Sequence, residues 1–289
     1  MAGSEALGSA HEVTLPAGRI HYRERGAGPP VVFVHGLLVN ADLWRAVVPA
    51  VAEGGLRCIA PDWPMGSHAT AVPDADLSPP GLAALIASFL ERLELHDVTV
   101  VANDTGGAIT QILMTRHPER IGRVVLTSSD CFDRFFPPPF AFLPAVARLP
   151  GSLWALGQVT RIRALHRLPF TFGWVTKRPI PPAVVDSYLL PSRQDPAVRR
   201  DLRRFLLGVN RRHTLRAAEA LPGFTKPVLL AWAREDRLFP IALAHRLAAL
   251  LPQATLVPVD DSYTFIPEDQ PQVLSRLIED FVHTASREK

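Results

Sequence analysis

The sequence predicts an α/β fold: a mostly parallel central sheet with helices on both faces and a helical cap inserted late in the chain. Three observations carry that reading. Short β-branched and aliphatic runs alternate with stretches of helical periodicity, and parallel strands need such crossover connections. The alternation stops at Asp133 and resumes only at Lys226. The chain has 289 residues, 47% of them hydrophobic, and no long polar or repetitive tract, so one compact unit with an insertion accounts for it.

The same composition excludes several classes of protein. The opening "MAGSEALGSA" has no basic stretch leading into an apolar one, and no run approaches the length of a membrane span, so a soluble, cytoplasmic chain is expected. Cys58 and Cys131 form neither a metal-ligand spacing nor a disulfide framework. The formal charge of +3 is carried almost wholly by arginine, with lysine only at 177, 226 and 289, and no nucleic-acid partner is expected. The densest basic run, Arg199 to Arg216, reads as one amphipathic helical pattern with Leu202, Phe205 and Leu206 on its apolar side. Its arginines read as a solvated face, with a basic rim for an anionic substrate or surface as the sharper alternative. With no dinucleotide-type glycine loop and no metal cluster, the expected partner is a small-molecule substrate, without cofactor and with no membrane partner, on a monomer or homodimer.

The elements follow in order. "HEVTLPAGRIHYRERG" alternates as two antiparallel strands about a Pro-Ala-Gly turn, and "PPVVFVHG" is a short buried strand. "NADLWRAVVPAVAEG" reads as one helix capped by Asn40 and ended by Gly54. "RCIAPD" is a strand, and Ser78 and Pro79 open the helix of "SPPGLAALIASFLERLEL". "DVTVVAND" and "GRVVLTSSD" are strands flanking a helix from about Gly106 to His117. The core is thus expected at 1–133 and 223–289, with the helical cap at 134–222. Within the cap Phe135, Phe136, Phe140, Phe142, Trp154, Phe170, Phe172 and Trp174 pack it on the core, line an apolar substrate pocket, or do both. After it come the strand "KPVLLAWA", the helix "PIALAHRLAALLP", the strand "ATLVPVDD" and a terminal helix in "EDQPQVLSRLIEDFVHTA".

In an open parallel sheet the site lies at the carboxyl ends of the strands. Those loops hold His35-Gly36-Leu37, then Asn103-Asp104-Thr105, then Ser128 to Asp133, then Glu235 and Asp236, and finally Asp260 to Thr264. In "VTVVANDTGGAIT" the small residues Ala102 and Gly106 flank Asp104 at a strand-to-helix bend, which suits an exposed nucleophile at its apex. A helix-capping aspartate is the plainer alternative.

These features together resemble the α/β-hydrolase superfamily from about residue 12 to 284: "HG" after the third strand, the elbow at 102–106, the acid in "AREDRLFP", and the ending "FIPEDQP". An aspartate at the apex is similar to the Asp-nucleophile branch, the haloalkane dehalogenases and epoxide hydrolases, in which a carboxylate displaces a leaving group from saturated carbon to give an alkyl ester. The resemblance implies Asp104 as nucleophile, the Leu37 and Thr105 amides as oxyanion hole, and Asp236 as supporting acid, with Asp130, Asp133 or Glu235 as alternatives. It implies a pocket bordered by His35, Asn103, Asp130, Tyr263 and Thr264. The chain departs from the pattern in several places, among them Leu37 where dehalogenases carry a second halide donor and Leu38 where epoxide hydrolases carry proline. Thr105 stands where dehalogenases carry tryptophan, the cap has one tyrosine, Tyr188, where epoxide hydrolases use two, and Thr264 occupies the slot of the catalytic histidine. His68, with His213 second, is the candidate for a relocated base. A non-hydrolytic enzyme using Asp104 as general acid or base, and a binding protein that has lost turnover, remain as alternatives.

Overall fold

The computed structural model describes residues 4–169 and 171–287, and its centre is an eight-stranded sheet in the order β1-β2-β4-β3-β5-β6-β7-β8. β1 (Ser9–Leu15) and β2 (Gly18–Arg25) form the hairpin expected at the Pro-Ala-Gly turn, and β2 meets β4 (Arg57–Pro61) antiparallel. β3 (Pro30–Val34), β4, β5 (Val98–Asp104), β6 (Ile121–Ser129), β7 (Val228–Ala233) and β8 (Ala254–Val259) run parallel. Val31 to Val34 and Val98 to Ala102 are buried on both sides, which is why these strands are continuously apolar rather than alternating.

Chain direction then dictates the helix layers. α1 (Val48–Glu53) connects β3 to β4 in one direction across the sheet. α2 (Pro79–Arg92) and α3 (Thr105–Arg116) connect β4 to β5 and β5 to β6 in the other. Right-handed crossovers therefore put α1 on the opposite face from α2 and α3. The reversal lies between β3 and β5, which pair with Val34 opposite Ala102. That switch point brings the loop after β3 beside the loop after β5.

Three segments read as single helices are broken, each for a local reason. Ala41–Trp44 is a 3-10 turn capped by Asn40, and α1 starts only at Val48, because Pro49 has no N–H to continue the ladder. In the basic run α7 (Pro196–Gly208) ends, Val209 and Asn210 are extended, and the Asn210 side chain accepts from the Arg212 N–H to open α8 (Arg211–Ala220). The terminal helix divides at Pro271 into α10 (Ile266–Asp269) and α11 (Pro271–Arg287).

Between β6 and β7 the chain contributes no strand among the described residues. It builds α4 (Leu143–Val146), α5 (Ser152–Val159), a 3-10 turn at Arg163–Arg167, α6 (Pro182–Gln194), α7 and α8. α9 (Ile241–Leu250) links β7 to β8. No helix among the described residues is long and apolar enough to cross a membrane.

One buried carboxylate ties this insertion to the core. Asp269 accepts the backbone N–H groups of Lys177 at 2.9 Å, Arg178 at 3.0 Å and Tyr263 at 3.0 Å, and the Thr176 hydroxyl at 2.8 Å. The Phe265 N–H donates to the Val175 carbonyl at 2.6 Å beside it. The loop carrying Tyr263 to Phe265 is thereby clamped between core and insertion. Asp269→Asn turns one acceptor oxygen into a donor facing donors, and the expected loss is about 2–3 kcal/mol in urea unfolding without change of slope. An unchanged midpoint would show that the clamp carries no stability.

Candidate active site

Asp104 sits at the end of β5 with φ 55° and ψ −131°, a conformation that side chains rarely adopt. The close packing around it explains the glycines. A Cβ on Gly106 would lie 2.4 Å from the carbonyl oxygens of Val34 and His35, and one on Gly36 would lie 2.1 Å from Asp104 Oδ2. The backbone amides of Thr105, at the start of α3, and of Leu37, after β3, face the Asp104 carboxylate and act to lower its pKa. It is therefore approached from two elements rather than from its own helix alone. Burial nevertheless pushes its pKa up to about 6, and the nearby charge of Asp236 adds to the rise.

Three carboxyls converge here. Asp130 is fully buried, with Oδ2 3.0 Å from Thr105 Oγ1 and no partner for Oδ1 among the described residues. Burial first, and the charge of Asp104 second, push Asp130 well above the ordinary carboxylate range. The Thr105 hydroxyl also reaches Asp104, and one hydroxyl proton cannot serve two anions. Asp236 Oδ1 accepts the Leu238 and Phe239 N–H groups, both at 2.8 Å, and the Thr264 hydroxyl at 3.0 Å, while burial raises the group to about 6. Thr264, at the slot of the expected histidine, thus lies against the expected supporting acid. Asp133 and Glu235, the remaining candidates, are exposed, and Glu235 pairs with Lys177.

Asn103 holds these parts in register. Its Nδ2 donates to Thr127 Oγ1 at 2.7 Å and to the Thr264 carbonyl at 2.7 Å, joining β5, β6 and the loop after β8. It supports the site from behind and does not line the cavity. His35 takes a similar role. The Trp63 N–H donates to its Nε2 at 2.8 Å, so the proton is on Nδ1, which meets the Gly36 carbonyl at 2.9 Å. Burial drives its pKa down to about 4 and keeps it neutral.

Asp104 and Thr105 form the floor of a cavity of about 180 Å³ whose walls are almost wholly apolar. Leu37, Phe136, Phe140, Phe172, Leu206 and Phe265 are among the wall residues. Trp154 faces solvent instead, and Phe170 lies outside the described residues. Phe265, rather than Tyr263 or Thr264, reaches the cavity. Tyr263 turns outward, where Lys177 and Arg237 lie over its ring. His68 does not line the cavity either: Asp201 on α7 accepts the Val72 N–H at 2.7 Å and holds His68 Nε2 at 3.3 Å, which draws that loop under the insertion. His213 lies on α8 near Arg116. The histidine on the wall is His166, whose Nε2 contacts the Thr160 carbonyl at 2.6 Å. It sits mid-insertion with no strand end near it, and nothing in its sequence context marks it.

Comparison with known proteins agrees with this architecture. Residues 29–159 match the sequence pattern of the alpha/beta hydrolase fold. A haloalkane dehalogenase of Mycolicibacterium paratuberculosis is 30% identical over 278 residues, covering 90% of this chain and 86% of that protein. The chain belongs to the α/β-hydrolase superfamily. This α/β-hydrolase is also 27% identical to a cis-3-alkyl-4-alkyloxetan-2-one decarboxylase of Shewanella oneidensis, over 90% of its own length and 83% of the relative's. Its backbone is similar to the crystal structure of the haloalkane dehalogenase DatA from Agrobacterium tumefaciens C58, with a TM-score of 0.80 at 22% identity over 98% of this chain and 99% of that one.

Asp104 and Asp236 hold protons more tightly in the folded than in the unfolded chain, whose ordinary value is 3.8. Their contribution to stability is complete below about pH 4 and is lost as pH rises through about 6. In Asp104→Asn the position stays neutral. The stability of the variant relative to the natural chain should therefore rise by on the order of 2 kcal/mol between pH 4 and 7, read from paired denaturation curves. A difference that stays flat with pH would mean that the carboxylate is not desolvated.

Proposed function

We propose that this chain is a hydrolase in which Asp104 attacks a saturated, electrophilic carbon of a small to medium apolar molecule, with residues 134–222 serving as the cap that shapes the pocket. Carbon-halogen, epoxide and ester-type bonds are the candidates. The observation that carries the reading is the convergence of the Leu37 and Thr105 amides on the Asp104 carboxylate, at the floor of an apolar cavity. In the first step a carboxylate oxygen forms a bond to carbon and the leaving group departs with the electron pair, giving an alkyl ester of Asp104. Water then adds to the carboxyl carbon of Asp104 itself, so the oxyanion develops on the oxygen that those amides face. The water proton needs an acceptor. Asp236, beside Asp104 and with Oδ2 unpartnered among the described residues, is the group left for that role in the absence of histidine at 264.

A second reading is favoured by the Thr264–Asp236 contact and by the oxetanone decarboxylase among the relatives. Attack of Asp104 on C4 of a 3,4-dialkyl-oxetan-2-one breaks the ring C–O bond and leaves an ester bearing a free carboxylate on the adjacent carbon. Loss of carbon dioxide then forms the C3–C4 double bond and expels the Asp104 carboxylate. Water and base take no part in that sequence, so Thr264 is no handicap to it.

Intact-mass measurement with product assay distinguishes the two. Under the first reading an alkyl bromide gives halide and alcohol slowly but beyond one equivalent, with an adduct on Asp104 building up because its hydrolysis relies on Asp236 alone. Thr264→His then restores turnover by about 100- to 10,000-fold, the usual range for general-base catalysis. Under the second, the natural chain turns over a cis-3,4-dialkyl-oxetan-2-one to alkene and carbon dioxide as fast as Thr264→His does. Undiminished activity in Asp104→Asn, with either substrate, would end both.

A further inference from the structure

The outer side of α4, α5 and the following turn carries most of the large hydrophobic side chains that stand exposed among the described residues. Of the eight large hydrophobic side chains that stand exposed among the described residues, five fall between positions 142 and 162: Phe142, Leu149, Trp154, Val159 and Ile162. Leu149 is 63% exposed, Ile162 55% and Trp154 54%. α5 is apolar on two sides, since Leu153 and Leu156 line the cavity while Trp154 faces outward, and only Ser152 and Gln158 are polar. Phe142 and Val159 belong both to the exposed patch and to the cavity wall, so the patch is continuous with the cavity mouth.

The charge around the patch is predominantly basic. From position 134 to 185 the chain has seven basic residues and no acidic one. Lys177 and Arg178 are occupied by Asp261, and Arg163 by Asp186. Arg148 and Arg167 flank the patch, exposed and without an ion pair among the described residues. We propose that this face docks on an anionic lipid surface, seating Trp154, Leu149 and Ile162 among headgroups and acyl chains while the arginines meet the negative charge. A second copy of the chain is the poorer occupant. A two-fold contact would bring the unpaired Arg148 and Arg167 of both copies into one interface, with Asp186 already taken by Arg163. Docked in this way, the cavity opens toward the layer, and an apolar molecule enters without crossing water. The absence of a membrane-spanning segment does not bear on a surface contact of this kind.

Sedimentation of the full chain with vesicles tests the proposal, and since it needs no turnover its result is independent of the reading of Asp104. Expected are partition onto phosphatidylcholine/phosphatidylglycerol vesicles, much weaker partition onto phosphatidylcholine alone, release by high salt, and a blue shift of tryptophan emission absent from Trp154→Ser. Each of Arg148→Gln and Arg167→Gln should weaken partition about fivefold, and Leu149→Ser with Ile162→Ser should abolish it while leaving the thermal midpoint in place. Recovery of the chain in the supernatant with anionic vesicles overturns the proposal, as does partition indifferent to these substitutions. Vesicle-independent dimers in light scattering, lost in the same variants, would overturn it in favour of a second copy.

Discussion

Two backbone amides facing one buried carboxylate govern the arrangement of this site. The Leu37 amide comes from the loop after β3 and the Thr105 amide from the first residue of α3, and they meet on Asp104 because β3 and β5 are neighbours at the point where chain direction reverses across the sheet. The approach is so close that a single added carbon at Gly36 or Gly106 would displace it. Asn103 and His35 complete the frame from behind the carboxylate, one fastening the loop after β8 and the other the loop after β4. The proposal of Asp104 as nucleophile rests on that placement.

Electrostatics around that point are dominated by acids. Asp104, Asp130 and Asp236 are all raised by burial, and no histidine or arginine lines the cavity floor to neutralise them. Donors offset part of that cost: the Leu238 and Phe239 N–H groups bond Asp236, the Leu37 and Thr105 amides face Asp104, and the Thr105 hydroxyl donates to Asp130. Thr264 fits that scheme, since its hydroxyl is one more donor for Asp236. A histidine there would add a titrating group between two carboxylates and change the proton count of the whole cluster.

The insertion couples to this cluster through Asp269. By gathering the amides of residues 177, 178 and 263, that carboxylate makes the loop bearing Thr264 and Phe265 part of the contact between core and insertion. The shape of the cavity wall and the position of the residue facing Asp236 are thus set together. The same insertion has an apolar outer side, so one element shapes the pocket, fixes the loop beneath it and presents the exposed patch.

Sequence by itself determined the layers. Strand and helix periods, the caps at Ser78 and Asn40, the small residues about Asp104 and the threonine at 264 are local features, and local sterics and hydrogen bonding suffice to read them. The breaks at Asn210 and Pro271 were also written locally, yet an unbroken apolar period concealed them. What only the tertiary structure decided was which of many acids and histidines share a space. Asp130 and Asp236 are brought to Asp104, while Asp133 and Glu235 face water one to three residues away. His68 is drawn off by Asp201, 133 positions distant, and His166 reaches the cavity wall from mid-insertion. Those outcomes depend on side-chain direction and on partners far apart in the chain, and periodicity, which acts over a few residues, carries no information about either.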